Sequence, residues 1–164
     1  MKTNGAEVRL NDLYQEVILD HNKKPRHFGK LEKPTGTAHG VNPLCGDDYQ
    51  VYLHVDSEGV LKQIAFEGQG CAISKSSASL MTDAVLGKNT GDVKALKDEF
   101  IRLLTRDSAS EATRIALGKL KIFEGVKQFP VRVKCATLIW RALEAALEAD
   151  AGQKIEVSTE EGRI

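Results

Sequence analysis

What this chain lacks narrows its reading before anything it contains. It has no net charge, because 23 Lys and Arg residues balance 23 Asp and Glu. Bulk electrostatics therefore give no general pull toward nucleic acid or an anionic membrane, and only a local patch would do so. It has no apolar run of bilayer length, and residues 1–10 lack the apolar core of a secretion signal. It has only three cysteines, an odd number, in 164 residues. That argues against a disulfide framework, since a core of this size needs no covalent staple. A reducing, cytoplasmic setting is expected, without membrane or nucleic acid as partner. Internal repeats, low-complexity tracts and a second domain are all missing.

What is present fits one folded domain: 41% apolar and 28% charged residues are ordinary proportions. The order of patterns predicts strands first and helices afterwards. Asn11 to Asn22 has helical spacing, with Leu13, Val17 and Ile18 on one face, and the basic loop from Lys23 to Lys33 stops it. Tyr49, Val51, Leu53 and Val55 alternate with Gln50, Tyr52 and His54, as a half-buried strand requires. Asp56-Ser57-Glu58-Gly59 turns the chain into a return strand, Val60 to Glu67, and a third strand fits Gly36 to Val41. Helices are predicted from Cys71 to Gly87, from about Thr90 to Leu104, and from Ser108 to Leu117. Residues 119–128 fit no period. Pro130 opens the strongest helix, with Val131, Ile139, Leu143 and Leu147 on its apolar side and an end near Ala149. The expected fold is α+β: a small antiparallel sheet of about three strands with helices packed on one face. Residues 1–10 are expected to form a flexible arm, 11–150 the domain, and 151–164 a flexible tail.

The three cysteines sit at junctions rather than within apolar stripes. Cys45 lies in a turn shaped by Pro43 and Gly46, two residues before Asp47. Cys71 follows Gly68-Gln69-Gly70 at a helix start, and Cys135 lies in about the first turn of the helix opened by Pro130. Helix N-termini favour thiolate over thiol, which is expected at both Cys71 and Cys135. Three thiolates and a carboxylate make a tetrahedral donor count suited to Zn²⁺. Their net negative charge would be offset by Arg132 and Lys134. Spacings of 26 and 64 residues form no CxxC pair, so the residues alone leave two readings open: a metal site, or three unrelated small apolar residues.

Longer motifs carry a resemblance. Tyr14 to His21 with Lys24-Pro25-Arg26, Asn42-Pro43-Leu44-Cys45-Gly46-Asp47, Gly68-Gln69-Gly70-Cys71-Ala72-Ile73-Ser74 and Phe129 to Leu138 with Trp140 resemble the U-type iron–sulfur cluster assembly proteins, the NifU/IscU N-terminal family. The likeness runs from about residue 11 to 149 and is strongest to the SufU-like branch. ISC-type scaffolds carry histidine before the third cysteine, where this chain has Lys134. They also carry a Leu-Pro-Pro-Val-Lys chaperone motif, which Phe129-Pro130-Val131-Arg132-Val133 does not reproduce, and they lack the segment near 105–125.

The resemblance implies a zinc-dependent sulfurtransferase. Cys45, Asp47, Cys71 and Cys135 become zinc ligands, Cys45 the acceptor of persulfide sulfur, and Arg132 a participant at the interface with a SUF-type cysteine desulfurase. A histidine of that enzyme is implied to take the place of Cys45 on the metal and free its thiolate. The sulfur then passes to the downstream SUF cluster-assembly complex. The alternatives are a non-enzymatic scaffold holding iron or a [2Fe–2S] cluster, which Lys134 disfavours, and a purely structural zinc site, which the loop position of Cys45 disfavours. His21, His27, His39 and His54 are expected to be non-ligands. Trp140, Ile139 and Leu143 are expected in the core. The basic loop 23–33 is either solvated or a docking surface for an acidic partner.

Overall fold

The computed structural model describes residues 5–106 and 109–159, with side chains from Tyr14 onward. The elements run α1 (Gly5–Lys23), β1 (Gly36–Asn42), β2 (Asp47–Val55), β3 (Leu61–Gln69), α2 (Ala72–Val85), α3 (Thr90–Thr105), α4 (Glu111–Leu117), a 3₁₀ stretch (Gly118–Gln128), α5 (Pro130–Glu148) and β4 (Glu156–Ser158). The sheet order is β3-β2-β1-β4, antiparallel except for the parallel β1–β4 pair.

The hairpin forms where alternation predicts it. Tyr49, Val51 and Leu53 are buried on one face. The Asp56 carboxylate accepts the Glu58 and Val60 amides at 2.9 and 3.0 Å, and Gly59 closes the turn with φ +80°. A register shift between His54 and Val55 ends the strict alternation, and His54 is half-buried rather than bare.

Helix α5 lies against β1 and β2 because β1 turns small residues toward it. A Cβ on Gly36 would stand 2.0 Å from the Ala146 carbonyl oxygen, so only glycine admits this approach. Trp140 is buried, stacks on Phe100 at 4.8 Å, and donates its indole N–H to Ser77 Oγ at 3.2 Å. Helix α2 packs between α1 and α5, so it is covered on its polar flank too. Its hydroxyls act as connectors: Ser77 donates to the Ala136 carbonyl at 2.7 Å, and Ser79 meets His21 Nδ1 at 2.7 Å and the Arg26 amide at 2.8 Å. The basic loop is thus a strap rather than free chain. It bonds α2 on one side and β3 on the other, through Gly29 N to Phe66 O and Phe66 N to His27 O.

Four expectations change. Helix α1 begins at Gly5, so residues 5–10 are helical rather than a loose arm, while residues 1–4 lie outside the described residues. The C-terminal segment 151–164 is not all tail: β4 pairs with the open edge of β1, adding a fourth strand and making the sheet mixed. Ile155-Glu156-Val157-Ser158 is too short to announce itself by alternation, and an unpaired β1 edge supplies the template; residues 160–164 lie outside the described residues. Residues 119–128 fit neither common period because they follow a third one: Leu120, Phe123 and Val126 recur every three residues and are buried, as 3₁₀ geometry dictates. Val131, placed on the apolar side of α5, is instead 52% exposed, and Val133 is buried in its stead.

Candidate metal centre

The cysteines and Asp47 arrive on three parts of the fold. Cys45 sits in the turn between β1 and β2, closed by its own amide on the Asn42 carbonyl and by Gly46 at φ +72°. Asp47 is the first residue of β2. Cys71 caps α2, where its sulfur accepts the Ser74 amide at 3.4 Å. Cys135 lies in the second turn of α5, fully buried, with its sulfur 3.2 Å from Cys45 Sγ. Ligand atoms of Cys45, Asp47 and Cys135 all fall within 4.8 Å of one another, a group that can hold a metal ion. Cys71 stands at its border: its amide donates to Asp47 Oδ1 at 3.0 Å. All three cysteines are free thiols.

A buried polar ring surrounds this cluster. Asp47 is 2% exposed; Oδ1 also accepts the Ser74 hydroxyl at 3.0 Å, and Oδ2 accepts Asn42 Nδ2 at 3.3 Å. The same Asn42 nitrogen lies 3.5 Å from Cys135 Sγ, and Asn42 Oδ1 accepts the Thr159 hydroxyl at 2.9 Å. Tyr49 Oη meets Ser74 Oγ at 3.0 Å. None of Asn42, Tyr49, Ser74 and Thr159 emerged from sequence as part of the site. The one available cue was Ser74, three residues after Cys71, the spacing at which a helix cap and its partner meet.

The thiols are unequal in their protons. Contact with the Cys135 thiol draws Cys71 below the ordinary thiol range, helped by the Ser74 amide and hydroxyl and opposed by burial and the Asp47 charge. Cys135 is pushed up, first by Cys71, then by burial and by Cys45. The largest influence on Cys71 is its neighbour Cys135 rather than the helix terminus alone. Lying in the second turn, Cys135 sits beyond the free first-turn amides.

Arg132 is exposed and Lys134 half-buried, and neither forms an ion pair among the described residues. Exposed apolar side chains stand beside the cluster in sequence: Leu44 at 65%, Phe129 at 59% and Val131 at 52%. Three of the four histidines are engaged elsewhere. His21 and His27 bond Ser79 and Thr82 of α2. His39 bridges Asp48 at 2.6 Å and Glu156 at 3.4 Å on the sheet face opposite Asn42.

A mixed sheet backed by helices, with thiols and a carboxylate converging from a turn, a helix cap and a second helix, defines an α+β protein with a cysteine–aspartate centre. The chain belongs to the NifU-like N terminal domain family, whose pattern matches residues 13–149. It is 38% identical over 160 residues to the iron–sulfur cluster assembly scaffold protein IscU of Streptococcus pyogenes serotype M1, covering 96% of this chain and 98% of that one. It is 36% identical over 145 residues to the zinc-dependent sulfurtransferase SufU of Bacillus subtilis strain 168, covering 88% and 96%. Among solved structures, the iron–sulfur cluster assembly scaffold protein of the SUF system from Fervidobacterium islandicum AW-1 superposes with a TM-score of 0.76 at 31% identity, over 84% of this chain and 98% of that one.

Proposed function

We propose that this protein is a zinc-dependent sulfurtransferase of iron–sulfur cluster assembly, accepting persulfide sulfur on Cys45 from a SUF-type cysteine desulfurase. The observation that carries the reading is the asymmetry of the centre. Cys45 rides a turn whose neighbours Pro43, Leu44 and Gly46 are exposed, while Cys71 is fixed by a helix cap and Cys135 and Asp47 are buried. The donor set suits zinc in kind: soft sulfurs with one oxygen, Cys45, Asp47 and Cys135 grouped and Cys71 at their border as the fourth, and a ring of N–H and O–H donors around the carboxylate. Bound zinc would keep these thiols deprotonated at neutral pH.

The chain's own groups account for the rest. Cys45 Sγ attacks the outer sulfur of the desulfurase persulfide. A new S–S bond forms at Cys45, the partner's S–S bond breaks, and the partner cysteine leaves as thiolate. No external oxidant or reductant enters. Leu44, Phe129 and Val131 supply an apolar rim for docking, and Arg132, exposed and unpaired among the described residues, supplies a cation beside it. Exclusion of water is left to the docked partner.

The experiment is desulfurase turnover with wild-type protein and with Cys45→Ala. Wild type raises turnover and carries about one zinc per chain, as a single four-ligand site requires; Cys45→Ala gives no stimulation. Full stimulation by Cys45→Ala overturns the acceptor role. The scaffold reading rests on the same donor set and on the scaffold names of several relatives. Colour and stoichiometric iron after anaerobic purification, without tightly held zinc, would favour it.

A further inference from the structure

We propose that Asn42 is the positioning residue of the centre and that the C-terminal strand sets it, through Thr159. This deepens the preceding reading and rests on it, since Asp47 and Cys135 are taken as metal ligands. Asn42 ends β1, has no exposed surface, and touches both elements that bring those ligands. Its amide nitrogen faces Asp47 Oδ2 at 3.3 Å and Cys135 Sγ at 3.5 Å. Its amide oxygen accepts the Thr159 hydroxyl at 2.9 Å.

The chemistry makes this orientation matter. A carboxylate and a sulfur both need a donor, and only the NH₂ end of the amide can serve two acceptors at once. Rotating the amide by half a turn would aim the oxygen lone pairs at two electron-rich groups in a buried site, where repulsion is strong. The Thr159 hydroxyl prevents that, because it offers a hydrogen to the oxygen end. Thr159 is itself only 7% exposed and is held there by the parallel pairing of Gly40 with Val157 and Val41 with Ser158. Strand β4 is therefore a clip whose closure fixes the amide. The amide in turn brings partial positive charge to a donor set that carries more negative charge than one zinc ion cancels.

The test uses full-length protein and reads metal affinity rather than sulfur transfer. Zinc affinity is measured by chelator competition, and Co²⁺ is substituted to record its ligand-field and sulfur charge-transfer bands. Asn42→Ala should weaken zinc about 10- to 100-fold, the usual effect of losing a group that orients ligands. Asn42 is fully buried and its variant can misfold, so the deciding variant is Thr159→Val, which keeps the volume and removes only the hydroxyl. It should weaken zinc about 3- to 10-fold, as one lost hydrogen bond implies, and shift the Co²⁺ bands. Thr159→Ser, which keeps the hydroxyl, should restore both. Thr159→Val with wild-type affinity and an unchanged Co²⁺ spectrum overturns the proposal, whatever Asn42→Ala does. A wild-type protein that binds neither zinc nor Co²⁺ overturns instead the metal reading beneath it.

Discussion

Gly70→Ala tests the polar ring with a single methyl group. A Cβ at this position would meet Ser74 Oγ and Tyr49 Oη at 2.5 Å and Asp47 Oδ1 at 2.6 Å. Real carbon–oxygen contacts are well beyond 3 Å, so all three atoms must give way. None has room: Tyr49 is 0%, Ser74 1% and Asp47 2% exposed. Two buried hydrogen bonds, Tyr49–Ser74 and Ser74–Asp47, both 3.0 Å, are stretched or lost at about 1 kcal/mol each. Overpacking adds about 1–3 kcal/mol, and the smaller unfolded-state entropy of alanine returns about 0.4–1 kcal/mol. The sum is about 2–5 kcal/mol, a large share of a typical domain's stability. Because Asp47 loses a donor, zinc affinity should also fall about 10- to 100-fold. Urea unfolding of the metal-free protein and chelator competition read the two effects separately. Gly125→Ala, whose Cβ would meet nothing within 4 Å, is the control and should change stability by less than about 1 kcal/mol. Gly70→Ala within about 0.5 kcal/mol of wild type, with undiminished zinc affinity, would refute the reasoning.

Ser77→Ala should cost about 1–3 kcal/mol in urea unfolding, because the buried Trp140 N–H loses its acceptor; a change within error would show that water or another group replaces it. Stripping zinc with a chelator should lower the thermal midpoint, and loading at a thousandfold excess over Kd should add about 4 kcal/mol by mass action. Equal midpoints with and without metal would show that the folded state has no preference for it. Burial is the largest influence on His21 and lowers its pKa from 6.5, so the folded state resists its protonation. Its contribution is then complete above about pH 6.5 and is lost as pH falls from there through the folded value. His21→Gln, which keeps a partner for Ser79, should flatten the slope of unfolding free energy against pH below about 6.5; an unchanged slope would assign that dependence to other groups.

The hairpin and the long helices were legible because one face of each is apolar and the other polar, which is all that periodicity detects. Helix α2 shows the limit. Its Ser74, Ser76, Ser77 and Ser79 are buried, and a polarity pattern assigns such residues to solvent, although α1 and the strap bond Ser79, α5 bonds Ser77 and β2 bonds Ser74. The centre was legible in part. Cys45, Cys71 and Cys135 stand out by being few, and the turn residues Pro43 and Gly46 place Asp47 beside the first. Asn42 and Thr159 were not legible, because their meeting depends on β4 joining an edge strand 117 residues away in sequence. The mutual influence of the Cys71 and Cys135 thiols was hidden for a related reason. Helix position alone treats them alike, whereas a shared contact forces them apart.

The wide sequence separation of the cysteines has a kinetic consequence. With the second cysteine 26 positions after the first and the third 64 positions after the second, no short segment of the chain contains a competent set of donors. A metal ion meeting the unfolded chain finds at most one or two of them at a time and cannot nucleate a local turn. The centre exists only once the hairpin, the start of α2 and the second turn of α5 have docked, which places it among the last contacts to form. Metal loading should therefore slow global unfolding far more than it speeds refolding. Once loaded, the three elements should lose their independent openings and exchange their amide hydrogens as one unit.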